Sequence, residues 1–123
     1  MSWETGHFKS SEFKCKCGCG LDKVDHAFLW KLNLARDYAG IAFVINSGCR
    51  CDQHNQDEGG SEYSDHLCLP TCEGADIKAD SSDIRFRIVT AAINAGFKRI
   101  GIARSFIHLG NRNNNPMNVL WVY

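Results

Sequence analysis

The 123-residue sequence has no long apolar run, no repeat, no low-complexity tract and no net charge. Without a long apolar run, it contains no candidate membrane-spanning helix. Its 14 basic and 14 acidic residues cancel, which removes the electrostatic argument for a nucleic-acid or anionic-membrane partner. The first residues lack the basic and apolar regions of a secretory signal. We therefore predict one domain over residues 1–123 that is monomeric and cytoplasmic as synthesised.

Cysteine, in contrast, is abundant, with seven residues in three groups. The groups are Cys15, Cys17 and Cys19; Cys49 and Cys51; and Cys68 and Cys72. Because the count is odd, at least one has no disulfide partner within the chain. Disulfides between the first two groups, a disulfide within the third and reduced thiols all remain open. A second, structural metal on thiolates is less favoured, because C-x-C spacing is less typical of structural zinc than C-x₂-C.

Hydrophobic periodicity predicts an α+β fold, with two helices packed on a small antiparallel sheet. The first helix covers 22–38 with Asp22 as its cap and a stop at Gly40, and the second runs from Ser81 or Ser82 to Gly96. Strands are predicted at 41–45, 75–79, 99–103, 106–109 and 118–123. Residues 1–20 are predicted to form an irregular, cysteine-containing arm. Residues 46–74 are predicted to form a long loop, and such loops are usually functional or disordered.

Two imidazoles and a carboxylate stand out as candidate metal ligands: His66, Asp76 and His108. This donor set is common in catalytic zinc sites and leaves a coordination position open for water. In a strand at 106–109, His108 would point away from the face that Ile107 and Leu109 give to the core. In most sequences, two histidines and an aspartate are ordinary polar side chains. The prediction of a metal site therefore depends on the wider sequence pattern.

The wider pattern consists of short segments in a fixed order. They are FKCKCGCG from Phe13, SGCRC from Ser47, HN from His54, GG from Gly59, SDHL from Ser64, EGADI from Glu73, GF from Gly96, IGI from Ile100 and FIH from Phe106. Together they resemble the zinc D-Ala-D-Ala carboxypeptidase family, peptidase M15, and within it the small phage and bacterial peptidoglycan-peptidase branch. The resemblance extends over residues 8–123. It implies a D-Ala-D-Ala carboxypeptidase/Hedgehog-like fold.

The resemblance also implies roles for particular residues. His66, Asp76 and His108 would bind one zinc ion, and Arg50 would hold the substrate near the scissile bond with a charged, forked donor group. Ser64 and His54 lie in the same loop and are predicted to contact substrate. The expected activity is hydrolysis of peptide bonds in the peptidoglycan stem or cross-link, as in a phage endolysin that reaches the wall after lysis or export.

The sequence departs from the family pattern at two places. Between His66 and Asp76 it carries about three extra residues. It also has Gly110 two residues after His108, where Asp is common, and Ser105 three residues before it, where other members have Glu or Asp.

A general base is therefore not evident, although a zinc peptidase normally needs one. The weak candidates from the loop are Glu73, Asp65, Glu62 and Glu58. Two further hypotheses follow. One is a zinc-stabilised module that binds cell-wall peptides with little or no turnover, and the other is a disulfide-stapled domain without metal.

Overall fold

The structure, a computed structural model, describes residues 3–123 and confirms the α+β class. The helices are α1 (His26–Ala39), α2 (Asp52–Asp57) and α3 (Ser82–Ala95). The strands are β1 (Glu4–Thr5), β2 (Phe8–Lys9), β3 (Ile45–Ser47), β4 (Gly74–Lys78), β5 (Arg99–Ile102), β6 (Phe106–Gly110) and β7 (Val119–Val122). None of the helices in residues 3–123 combines the length and apolar character that a membrane-spanning helix needs.

The main sheet has the strand order β3-β4-β6-β5-β7, and the prediction that it is wholly antiparallel is wrong. Strands β5 and β7 are parallel, with Arg99 opposite Val119. The reason is topological. Strand β6 already has β4 on one side and β5 on the other, so the next strand cannot pair with β6, and it adds to the free edge of β5. After the turn at 111–118, β7 runs back antiparallel to β6 and hence parallel to β5.

The core lies between the sheet and the pair α1 and α3, which pack against each other. The largest fully buried side chains there include Phe28, Leu32, Ile77, Ile88 and Ile107. Burial of each such side chain contributes about 1.5–3 kcal/mol. Because side chains alternate along a strand, the sheet face opposite the core is free to carry polar residues from β4 and β6.

Helix α1 begins later than predicted, and its cap is Asp25 rather than Asp22. The Asp25 carboxylate accepts a hydrogen bond from the Phe28 N–H at 3.0 Å. Residues before the cap are held extended because Val24 forms a parallel bridge with Cys72. Both predicted stops are correct, since Gly40 and Gly96 have left-handed backbones at φ 66° and 98°.

Strand β3 occupies Ile45–Ser47 and not 41–45 as predicted. Its partner β4 ends at Lys78. The last pairings there are Ile45 opposite Ile77 and the Lys78 N–H bond to the Val44 carbonyl. Residues further back therefore have no strand to join.

The loop at 46–74 and the arm are more regular than predicted. The loop contains the third helix, α2, whose N-cap is Cys51. The arm contains the β1–β2 hairpin and a 3-10 helix, Ser10–Glu12. A disulfide joins Cys49 to Cys72, so it links two of the predicted cysteine groups and not Cys68 to Cys72.

Candidate metal centre

The pairing of β4 with β6 places Asp76 directly opposite His108 on the sheet face away from the core. His66 reaches the same place from the loop. Its backbone carbonyl accepts a 2.8 Å hydrogen bond from the Arg50 N–H, and Leu67 forms a parallel bridge with Arg50. Sheet register thus fixes two of the three predicted ligands, and a short bridge fixes the third.

The three side chains offer converging donor atoms that all lie within 4.8 Å of one another. The Asp76 Oδ1 atom is 2.8 Å from His108 Nδ1 and 3.3 Å from His66 Nε2. Ligands at about 2.0–2.1 Å around a tetrahedral zinc ion lie about 3.3 Å from each other. The three donors therefore fit a zinc ion with little rearrangement.

Each histidine of the centre has one ring nitrogen that faces away from the other donors, which we call its outer nitrogen. The outer nitrogen of His66 is bound by a backbone carbonyl. His66 Nδ1 lies 2.7 Å from the Gly48 oxygen. A carbonyl oxygen can only accept, so Nδ1 carries the hydrogen and Nε2 keeps its lone pair for a metal. Such outer contacts fix the ring orientation of metal-binding histidines.

The outer nitrogen of His108 is fixed by a carboxylate instead. His108 Nε2 lies 2.8 Å from Asp65 Oδ2, which leaves Nδ1 directed at Asp76. Burial opposes a charge on this ring, but the hydrogen bonds to Asp65 and Asp76 outweigh it and raise the pKa of His108. Because a metal ligand must give up its proton, binding at Nδ1 would release one.

Asp65 occupies the space that a side chain at position 110 would need. A Cβ added to Gly110 would overlap the Asp65 carboxylate. Gly110 stands at the position where the family resemblance led us to expect Asp. In this chain a carboxylate still stands at that point, but it comes from the residue before His66 and not from β6. The absence of a side chain at Gly110 therefore leaves the room that the Asp65 carboxylate occupies.

The Asp65 carboxylate is saturated with donors besides His108. Its oxygens accept from Arg99 Nε at 3.2 and 3.3 Å, from the Arg112 N–H at 3.3 Å and from Asn115 Nδ2 at 3.3 Å. Burial alone would raise the pKa of Asp65, but the hydrogen bond and charge of His108, followed by those of Arg99, hold it at about 2. Such a group orients His108 and is a poor proton acceptor for water.

Arg112 holds the insertion that separates His66 from Asp76. This side chain is buried, and its guanidinium donates to the backbone carbonyls of the loop. The acceptors are Ser64, Leu67, Leu69 and Thr71. With the Cys49–Cys72 disulfide, these bonds order the extra residues that the sequence left without an explanation.

Sequence reasoning missed Arg99, Arg112 and Asn115. The only available signal was their position beside the motifs, just before IGI and just after FIH. Basic or amide residues in a turn are ordinarily solvated, so nothing local identified them as partners of Asp65.

The three candidate ligands lie in a cleft of about 320 Å³. Arg50 also lines it, as predicted for a substrate contact. Its Nη1 is 3.5 Å from Asn55 Oδ1, and its buried Nε has no hydrogen-bond partner among the described residues. An unpartnered buried donor is costly.

The other predicted site residues are divided between the cleft and its surroundings. Ser64 and Glu58 line the cleft. His54 does not line it, and its Nε2 instead lies 3.5 Å from the Glu58 carboxylate. Glu62 is exposed and lies outside the cleft. Glu73 also lies outside it, although burial and the neighbouring Asp25 raise the pKa of Glu73 in the direction that a base requires.

Aromatic residues of β7 and of the chain end form one wall of the cleft. The Trp121 ring lies 5.5 Å from the His108 ring, and the Arg99 guanidinium lies 5.1 Å above Trp121. The Tyr123 ring packs against the Phe106 ring with centroids 5.1 Å apart and planes tilted by 53°. This wall is apolar beside a polar floor, as is usual for sites that bind and orient a small ligand.

Two histidines, one aspartate, fixed outer partners and an open cleft define a candidate centre for a single catalytic metal. A family model described as Peptidase M15 matches residues 6–110. The chain therefore belongs to the peptidase M15 family, as its motifs predicted, and this membership implies a hydrolase of the metallopeptidase type. Members of this family are typically zinc enzymes. No curated protein matches the chain.

Proposed function

We propose that this protein is a zinc-dependent peptidase that hydrolyses peptide bonds in bacterial peptidoglycan, in the stem peptide or the cross-link. The observation that carries the proposal is the convergence of His66, Asp76 and His108 at the floor of a cleft, each imidazole with its outer nitrogen already bonded. The fold that we associate with this site is the D-Ala-D-Ala carboxypeptidase/Hedgehog-like one.

Zinc, when bound, would supply a Lewis acid that polarises the scissile carbonyl and lowers the pKa of a coordinated water to about 7. The chain's own residues do the positioning. Arg50 lines the cleft and would donate from its guanidinium to a substrate carbonyl or carboxylate, and Trp121 and Tyr123 would support the peptide from one side. Peptidoglycan peptides offer the carboxylates that such a guanidinium recognises.

Glu58 is the best candidate for the general base. Three carboxylates line the cleft, but Asp76 belongs to the metal donors and Asp65 is saturated with hydrogen bonds. Glu58 is half exposed, and among residues 3–123 its carboxylate has only the 3.5 Å contact to His54. It ends the short helix α2 before Gly59 and Gly60, so the carboxylate is at the cleft rim on a turn.

A second candidate function is a zinc-stabilised module that binds cell-wall peptides with little turnover. The observation that favours it is the absence of an acidic side chain at Gly110 and Ser105 together with the commitment of Asp65 to His108. In both cases the partner is a peptidoglycan peptide, and a phage-encoded lytic role after lysis or export fits the first.

The test is mass spectrometry of soluble fragments from several types of purified peptidoglycan, incubated with zinc-loaded protein and with a chelated control. We expect zinc-dependent fragments whose ends identify the bond cut. Glu58→Gln should reduce their rate of formation about 10²–10⁴-fold, the usual contribution of general base catalysis. Glu62→Gln is the matched control and should match wild type. Wall binding without any fragment would instead support the binding module.

A further inference from the structure

The arm and the start of α2 bring four cysteines to one point outside the cleft. They are Cys15, Cys17, Cys19 and Cys51, and their sulfur atoms all lie within 4.8 Å of one another. We propose that these four thiolates bind a second, structural zinc ion, separate from the ion at the His66 centre.

The distances among three of the sulfur atoms are close to the edges of a zinc tetrahedron, and the Cys19 sulfur lies within 4.8 Å of each of them. Cys15 Sγ is 3.4 Å from Cys17 Sγ and 3.9 Å from Cys51 Sγ, and Cys17 Sγ is 3.6 Å from Cys51 Sγ. Four sulfurs at about 2.3 Å from a zinc ion lie about 3.8 Å apart along the edges of the tetrahedron. A disulfide requires about 2.05 Å, so these sulfurs are placed as neighbours around a common centre and not as bonded pairs.

The local backbone explains how closely spaced cysteines can share one ion. In an extended C-x-C segment the side chains would form a row, which disfavours a common centre. Here the segment turns. Gly18 and Gly20 have φ values of 92° and 81°, and the Gly18 N–H bonds the Cys15 carbonyl at 3.3 Å. The turn gathers three sulfurs, and the fourth comes from a distant segment of the chain.

Backbone donors also point at the sulfurs. The Cys51 N–H lies 3.4 Å from Cys15 Sγ, and the His54 N–H lies 3.4 Å from Cys51 Sγ. Such bonds stabilise thiolates, and Lys14 and Lys16 flank Cys15 in the sequence with positive charge. Four thiolates without a cation would repel one another, whereas four thiolates are a standard closed donor set for structural zinc.

The proposal also accounts for the odd number of cysteines. Four are gathered around the proposed ion, and Cys49 and Cys72 form the disulfide. This leaves Cys68, whose sulfur lies 3.5 Å from the Lys23 carbonyl. Because Cys51 adjoins Arg50, the second ion would tie the arm to the segment that carries the cleft guanidinium.

The test is zinc content per chain, measured by elemental mass spectrometry on protein purified with a reductant and desalted. We expect two ions in wild type, one in Cys17→Ser/Cys19→Ser, and two in the matched control Cys68→Ser. The variant His66→Ala/His108→Ala should also retain one, which separates this proposal from the proposed function. Equal zinc content in wild type and Cys17→Ser/Cys19→Ser would overturn the second site.

Cobalt substitution of His66→Ala/His108→Ala provides a readout that does not require a folded cysteine variant. Only the thiolate site remains there, so bound Co²⁺ should show the intense near-ultraviolet charge-transfer absorption of sulfur ligands. The proposal predicts this band and its loss after alkylation of the thiols. A Co²⁺ complex without it, or disulfides among these four cysteines in the reduced preparation, would contradict the proposal.

Discussion

The two candidate metal sites in this chain are built in different ways. At the His66 centre, two ligands stand opposite each other in paired strands, and each imidazole has a second partner that fixes it. At the cysteine cluster, three ligands lie on a turn of the arm and the fourth at the start of α2, without a strand between them. The first site is formed by the sheet, whereas the second joins the arm to the segment before α2, and these two segments are also connected by the Cys49 N–H bond to the Phe13 carbonyl.

This difference separates a preorganised site from one that depends on its ion. The His66 centre should keep its geometry without metal, because hydrogen bonds between Asp65, Asp76 and His108 already hold the donors. The cysteine cluster should loosen without metal, because thiols make only weak hydrogen bonds. Metal binding there would contribute to folding stability directly.

The largest expected effect comes from removing a ligand of the preorganised site. His66→Ala should lower peptidoglycan hydrolysis to the level of chelated protein, since two donors cannot hold the catalytic ion as three do. The fold should persist, because the core lies on the other face of the sheet. The measurement is fragment release together with circular dichroism, and hydrolysis by this variant at a rate near that of wild type would refute the ligand assignment.

A smaller but still large effect should follow from Arg112→Met. The change leaves the loop carbonyls that Arg112 bonds without donors, and each buried unsatisfied acceptor costs about 1–3 kcal/mol. Because water can reach some of them, we expect the free energy of unfolding in urea to fall by about 3 kcal/mol in total. The control is Arg87→Met on the exposed side of α3. Equal unfolding energies for the two variants would show that Arg112 does not hold the insertion.

Removal of the Asp65 carboxylate, which binds the outer nitrogen of His108, should have an intermediate effect on metal affinity. Asp65→Ala removes the partner of His108 Nε2, and losses of such partners typically weaken metal binding 10–100-fold. Competition with a chromogenic chelator measures this for the His66 centre in the Cys17→Ser/Cys19→Ser background. Affinity within a factor of two of the parent would mean that Asp65 does not orient His108.

Placing at position 110 the Asp that the family resemblance implies tests the role of Asp65 further. Gly110→Asp alone should destabilise the protein, because its side chain would overlap Asp65. In the Asp65→Ala background the new carboxylate gains room, so the double variant should bind zinc more tightly than Asp65→Ala. A double-mutant cycle measures this coupling. If the two substitutions change zinc affinity additively, then Asp65 in the loop and an Asp at position 110 in the strand do not compete for the same place.

The smallest effect is expected for His54→Ala. The ring contacts Glu58 at 3.5 Å at the edge of the cleft, and half-exposed contacts of this kind contribute about 0.2–1 kcal/mol. We expect a two- to fivefold lower rate with unchanged zinc content. His26→Ala at the start of α1 is the control. A loss as large as that of Glu58→Gln would give His54 a direct role in the cleft.

The sequence predicted the parts of the site that depend on local periodicity. Alternation in β6 directs His108 away from Ile107 and Leu109, as the structure has it, and motif order identified the family. The role of Asp65 could not be predicted, because it depends on how the insertion folds around Arg112, 47 residues further along the chain. The strand β7 was predicted, but its parallel pairing with β5 was not, since its partner is decided by which sheet edge is free.

The cysteine cluster, in contrast, could not be predicted from the sequence. The C-x-C spacing argued against a shared metal because it is less typical of structural zinc than C-x₂-C, and it did not predict the turn at the left-handed Gly18 and Gly20. Cys51 enters through a contact across 36 residues from Cys15. Neither the turn nor this contact has a reliable signature in a single sequence.

The most direct test of the catalytic site is anomalous diffraction at the zinc edge from crystals of the zinc-loaded protein. We expect a strong peak between His66 Nε2, Asp76 and His108 Nδ1, with Asp65 still bonded to His108 Nε2. A peak at this position would establish the centre on which the proposed peptidase activity depends. Fully loaded crystals without a peak there, or with zinc on other side chains of the cleft, would contradict the account.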